Sequence, residues 1–113
     1  MKLWIDDLRP APEGYIWAKS VSDAKDYIVS RETFNGLPWL FENGCEEVIR
    51  PFELIDIDHD AGEYSVYGGD YIKLLDWLEE TGRNYPIHIH SMNVVGVQNM
   101  RRIIQKNNWK EIF

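Results

Sequence analysis

Three short polar segments hold most of this chain's capacity for chemistry. Asp6-Asp7, Asp58-His59-Asp60 and His90-Ser91-Met92-Asn93 each follow an apolar run. All three histidines, His59, His88 and His90, lie in or beside two of these segments. Each residue also has an ordinary explanation. An acidic pair after a strand caps a turn, Ser91 and Asn93 cap a helix, and His88 reads as a hydrogen-bonded core histidine. Gathered around one crevice, however, these carboxylates would repel one another and lose hydration. A divalent cation would offset that cost. Oxygen donors favour a hard ion, Mg²⁺ or Mn²⁺, and Asp6, Asp7 and Asp58 are the expected ligands. No compact His-x-x-x-His pair supports zinc. Arg9 is placed to clamp a phosphate bidentately, although a solvated turn arginine would look the same in sequence. The helix start at Asn93-Val-Val-Gly96 offers backbone N–H groups to an anion.

The elements that must position these residues alternate between strand and helix. Leu3-Trp4-Ile5 predicts a strand that ends in the proline- and glycine-punctuated turn before Tyr15, and Tyr15–Ala18 predicts a second strand. Ser20 opens a capping box ahead of Val21, Ala24, Tyr27 and Ile28, a helix expected to fade near Glu32. Residues 34–52 are broken by Asn-Gly and proline and are expected to form an irregular folded excursion. Trp39 within it is the tryptophan best placed to meet a ligand, whereas Trp4, Trp17 and Trp77 read as core or helix-edge packing. Phe52–Asp58 predicts a third strand. Asp70 reads as the N-cap of a helix carrying Tyr71, Leu74, Leu75 and Leu78 and stopped at Thr81-Gly82. Pro86–Ser91 predicts a fourth strand, and Val97, Met100, Ile103 and Ile104 form the apolar face of a last helix ending near Asn107-Asn108.

This alternation predicts an α/β fold: a parallel sheet of about four strands, order 2-1-3-4, in a shortened three-layer sandwich with helices on both faces. Ligands in such sheets bind beyond the carboxyl ends of the strands, near the switch between the first and third. The three polar segments all end there.

With 113 residues the chain is expected to form a single domain over 1–113. It is 44% hydrophobic and 27% charged, which excludes disorder and collagen-like repeats. No apolar run reaches the roughly 18 residues of a membrane span. Acid at residue 6 argues against a signal peptide, and one cysteine, Cys45, cannot pair internally, so the expected compartment is cytoplasmic. A net charge of −7 predicts no extended nucleic-acid surface and no membrane partner. A phosphorylated ligand would need a metal ion or a few local cations to offset that field.

Taken together, the motifs resemble a known group. Trp4-Ile5-Asp6-Asp7-Leu8-Arg9-Pro10 resembles a W-x-D-D-x-R-x-P opening, and Asp58-His59-Asp60-Ala61-Gly62 resembles a D-H-D-L-G motif with alanine for leucine. His88-Ile89-His90-Ser91-Met92-Asn93-Val-Val-Gly96 is similar to an H-x-H-S-x-N-x-x-G block. All three belong to the cyclic-phosphate processing receiver domain, a divergent branch of the flavodoxin-like response-regulator receiver fold. The resemblance implies that Asp6 and Asp7 match the metal-binding acids of receivers, Asp58 their phosphoacceptor, and Ser91 the residue ending the fourth strand. Ordinary receivers add a fifth strand bearing lysine and a further helix, and the five residues after Asn108 do not supply both.

The activity expected on this basis is a metal-dependent phosphoesterase acting on 2′,3′-cyclic phosphate ends of RNA or nucleotides. In that reading His90, assisted by His59, serves as general base and acid. Asp58 is shared between metal and catalysis, while Ser91, Asn93, Arg9, Asp60 and His88 hold the substrate. The alternatives are a receiver-like phosphoacceptor at Asp58 or a protein-interaction module using the aromatic excursion.

Overall fold

A computed structural model describes residues 1–34 and 51–113. Most of the excursion, with Trp39 and Cys45, lies outside the described residues. The elements run β1 (Lys2–Ile5), β2 (Tyr15–Ala18), α1 (Val21–Phe34), β3 (Leu54–Ile57), a 3-10 turn at Gly62–Tyr67, α2 (Ile72–Glu80), β4 (Ile87–Ile89) and α3 (Val94–Lys106). All strand pairs are parallel and the order is β2-β1-β3-β4, as expected.

Strand register sorts the side chains into two different faces, because successive residues alternate sides. Ile16 and Ala18, Leu3 and Ile5, Ile55 and Ile57, and Ile87 and Ile89 pair across the sheet on one face. That aliphatic face joins one core with Val21, Ala24 and Ile28 of α1, Leu74, Leu75 and Leu78 of α2, and Met100 and Ile104 of α3. The crossovers β2–α1–β3 and β3–α2–β4 advance the same way across the sheet, and the right-handed rule for such connections puts both helices on that side, as the shared core requires. Helix α3 packs on α2. The described helices therefore form a single layer, and of the three expected layers the described residues supply two.

The opposite face carries Lys2, Trp4, Tyr15, Trp17, Leu54, Asp56 and His88. No helix joins β1 to β2. Residues 6–14 make the connection as a loop pinned by two indoles: Trp4 Nε1 donates to the Arg9 carbonyl at 2.8 Å and Trp17 Nε1 to the Asp6 carbonyl at 2.8 Å. Trp4 and Trp17 are thus half-buried loop anchors on the sheet, while Trp77 lies at a helix edge beneath the Arg83 guanidinium.

Local signals behave largely as expected. Ser20 Oγ accepts the Asp23 N–H at 3.0 Å to start α1, which continues past Glu32 to Phe34. The buried Glu32 is bound by two hydrogen bonds from Arg83, 3.0 and 2.8 Å, tying α1 to the approach to β4. Gly82, at φ +70°, ends the turn after α2, a conformation that disfavours side-chain-bearing residues. Asp70 does not cap α2 by its side chain. Its Oδ1 accepts the Ala61 N–H at 3.1 Å instead, Tyr71 takes the N-cap position, and the Tyr71 N–H bonds the His59 carbonyl. The nearer demand was the loop after β3, whose donors would otherwise be unpaired.

After α3 the chain returns along β4. Glu111 forms one parallel bridge to Ile87, flanked by hydrogen bonds from the Ile87 N–H to Lys110 and from the Ile112 N–H to Ile87. Lys110 therefore meets β4 at its amino end, away from the strand ends that carry the polar segments. No helix among the described residues is long and apolar enough to cross a membrane.

Candidate functional site

The order β2-β1-β3-β4 makes the carboxyl ends of β1, β3 and β4 neighbours, which brings Asp6, Asp58 and His90 together. One carboxylate oxygen each from Asp6 and Asp58 and a ring nitrogen of His90 all lie within 4.8 Å of one another. Asp6 is 1% exposed and has no idle oxygen: Oδ1 accepts the Leu8 and Arg9 N–H groups, both at 2.9 Å, and Oδ2 meets His90 Nε2 at 2.9 Å. Asp58 Oδ1 accepts its neighbour's N–H, from His59, at 2.7 Å.

His90 is held on every side. Its Nδ1 lies 2.6 Å from Asp56 Oδ1, its Nε2 binds Asp6, and its ring stacks on the Trp4 indole at a centroid distance of 3.9 Å and an angle of 6°. Burial alone would lower its pKa, but Asp56 and then Asp6 outweigh burial and raise it. A carboxylate oxygen at each ring nitrogen and an aromatic face beneath the ring all favour its charged form, in which both nitrogens donate. Asp6 follows the opposite course. Burial raises its pKa, but the Arg9 and Leu8 N–H groups and His90 bring it below the usual carboxylate value.

Asp7 is the strained member of the group. Burial and the charges of Asp6 and Asp58 raise its pKa, against a lowering contribution from its own backbone N–H. The Tyr71 phenol below is pushed up by burial and by Asp7, Asp6 and Asp58 in turn, so these three charges share one small region. Gly62, at φ +55°, brings its backbone against the Asp7 carboxylate, and a side chain there would collide with Asp7 Oδ2.

A second histidine stands beside this cluster with different partners. His59 Nδ1 lies 2.8 Å from Asp60 Oδ1, and no described residue bonds its Nε2. With Nδ1–H donating to Asp60, the lone pair falls on Nε2. The ring packs on Gly96, where a Cβ would sit 2.5 Å from His59 Cδ2 and Cγ. Asn93 closes the edge. Its Nδ2 lies 3.3 Å from Asp60 Oδ1, while its Oδ1 caps α3 by accepting the Gly96 N–H at 2.9 Å. That cap consumes the Gly96 N–H that the sequence had offered to an anion. Ser91 Oγ accepts the Asn93 N–H at 3.1 Å.

Two expected substrate contacts lie elsewhere. His88 pairs in register with Asp56, one step below the strand end, and its Nδ1 lies 2.8 Å from the Ile112 carbonyl. Arg9 is exposed, and its backbone, through the carbonyl and the N–H, bonds Trp4 and Asp6. Sequence reasoning passed over Asp56, which is 6% exposed. The available signal was a carboxylate inside the apolar run Leu54-Ile55-Asp56-Ile57, two residues before Asp58 and hence on the same face.

The residues present fit a divalent cation. Asp6, Asp58 and His90 each place one ligand atom within 4.8 Å of the others, so a cation would compete with His90 for Asp6 Oδ2; Asp7 is outside that group, although its raised pKa reflects the charges of Asp6 and Asp58 nearby. Comparison with curated proteins and with solved structures yields no match. A family model does match, over residues 1–106, and the three motif segments all fall within it. This chain belongs to the cyclic-phosphate processing receiver domain family.

Proposed function

We propose that the chain hydrolyses a five-membered cyclic phosphate, of the 2′,3′-cyclic nucleotide type, with Mg²⁺ or Mn²⁺ held by Asp6, Asp7 and Asp58. The observation that carries this reading is the pair of histidines with different partners at one strand-end cluster: His59, bonded at Nδ1 by Asp60 and by no described residue at Nε2, and His90, with a carboxylate at each ring nitrogen. An in-line displacement at phosphorus needs one group to take a proton and another to give one. His59 Nε2 takes the proton of the attacking water, steadied through Nδ1 by Asp60. As the new P–O bond forms, one ring P–O bond breaks, and the departing ribose oxygen takes the proton from His90 Nε2, which exchanges its bond to Asp6 Oδ2 for one to the substrate. The bound cation would supply charge neutralisation for the phosphoryl oxygens.

Asp56 keeps the His90 ring in place as the proton leaves, because its hydrogen bond is to the other nitrogen. Asn93 and Ser91 lie at the same edge and are the substrate-binding candidates. The phosphoacceptor reading of Asp58 gains nothing from Lys110, which meets β4 at Ile87, the end away from the cluster.

The test is incubation of the purified chain with 2′,3′-cyclic nucleotides and Mn²⁺, monitoring formation of the 2′- or 3′-monophosphate. His59→Ala and His90→Ala are each expected to lose at least a hundredfold in turnover, the usual scale of a positioned acid or base. Absence of product from the wild type, or wild-type turnover in both variants, refutes the proposal.

A further inference from the structure

The charge around the cluster points to the kind of molecule that carries the cyclic phosphate. Residues 6–10, 58–70 and 90–100 frame the site with Lys19 at the end of β2, and they carry Asp6, Asp7, Asp58, Asp60, Glu63 and Asp70 against the cations Arg9 and Lys19. Even with His90 protonated and a divalent cation bound, this end of the molecule stays negative. A single cyclic phosphate, one negative charge, is drawn to the cation at contact distance. The next phosphates of an RNA strand would lie against the surrounding acids, within the roughly 8–10 Å over which physiological salt leaves charges unscreened. A surface that grips a nucleic-acid backbone has the reverse pattern, with lysines and arginines lining the path.

One sector of the rim has no unpaired charge: Arg101, which lines a hollow with Ser91 and Val94, is bound to Glu111 at 2.7 Å. From Ser91 to Met100 there is no acid or base, and Met92, Val94 and Val95 are 87%, 69% and 65% exposed. Resting on the proposed cyclic-phosphate hydrolysis, we infer that the substrate is a free cyclic mononucleotide, or a compound of that size with one phosphate and a neutral, partly apolar body, and not the end of an RNA strand. The base or its equivalent lies against Met92 and Val94, and the phosphate lies at the cluster.

The sign of a salt effect separates the two substrates. Adenosine 2′,3′-cyclic monophosphate and a trinucleotide ending in a 2′,3′-cyclic phosphate are compared with the full chain and saturating Mn²⁺, from about 20 mM to about 300 mM salt. The trinucleotide is expected to show kcat/KM at least tenfold below the mononucleotide at low salt, with the ratio approaching one as salt is added. Glu63→Lys is expected to leave mononucleotide turnover within twofold and to raise that of the trinucleotide severalfold at low salt. A trinucleotide that equals or exceeds the mononucleotide and loses ground as salt rises overturns this inference and leaves the hydrolysis itself standing. If neither compound is opened, the hydrolysis and this inference fall together.

Discussion

Replacing Asp56 by asparagine isolates the contribution of the carboxylate that holds His90. The side chains of His90, Asp56 and Asp6 are 9%, 9% and 1% exposed, so water screens their charges poorly. Two unit charges about 4 Å apart attract by roughly 4 kcal/mol at an effective dielectric of about 20. Asparagine retains an acceptor for the Nδ1–H and spares the burial of one charge, so a net loss of about 2 kcal/mol is expected at pH 6. For a chain of this length that is a fall in Tm of roughly 8 °C.

The loss must depend on pH. The pKa of His90 is raised above its ordinary 6.5, so its stabilising contribution is complete below 6.5 and fades as pH rises through the folded-state value. The deficit of Asp56→Asn is therefore expected to be largest near pH 6 and to shrink in alkali. Asp6 acts at the other end: with its pKa lowered, its contribution is present above 3.8 and is lost as pH falls through the folded-state value. The assay is a series of thermal melts in EDTA across this range, with an NMR titration of the His90 ring. The reasoning fails if the deficit is constant with pH or if the His90 midpoint does not move down in the variant.

Two other outcomes are expected. Gly96→Ala places a methyl 2.5 Å from two atoms of the His59 ring, so steady-state kinetics should show kcat at least tenfold lower; because alanine favours helix by about 1 kcal/mol, Tm should change little, and an unchanged kcat refutes the role given to His59. A divalent ion binding only the folded chain stabilises it by about 2.7 kcal/mol at a hundredfold excess over Kd, so Mn²⁺ or Mg²⁺ should raise Tm by roughly 10 °C; Asp7→Asn should raise the metal-free Tm by relieving repulsion, Asp58→Asn should abolish the metal response, and a melt indifferent to these ions removes the metal site.

The sequence by itself determined the strand-end segments and the order in which strands and helices alternate. Apolar runs ending in Asp6-Asp7, Asp58-His59 and His90 can satisfy their backbones as parallel strands, and helices of period 3.6 between β2, β3 and β4 require crossovers of one hand. Asn93 and Ser20 were legible as caps because an N-cap side chain bonds backbone only two or three residues away. Asp70 has the same local signature and was drawn to Ala61, since competition for a side chain among loops is settled only when they pack. The tertiary structure also decided what surrounds each histidine. His59 and His90 each follow or precede polar residues in much the same way, but β3 places Asp56 against one ring nitrogen of His90 and β1 places Asp6 against the other. The helix-free β1–β2 connection was equally invisible, because its anchors are two indole N–H groups that look in sequence like any core tryptophan. Periodicity and caps are short-range and can be read along the chain. The charge state of a buried ring depends on residues from three strands, and that is fixed only by the way the sheet assembles them.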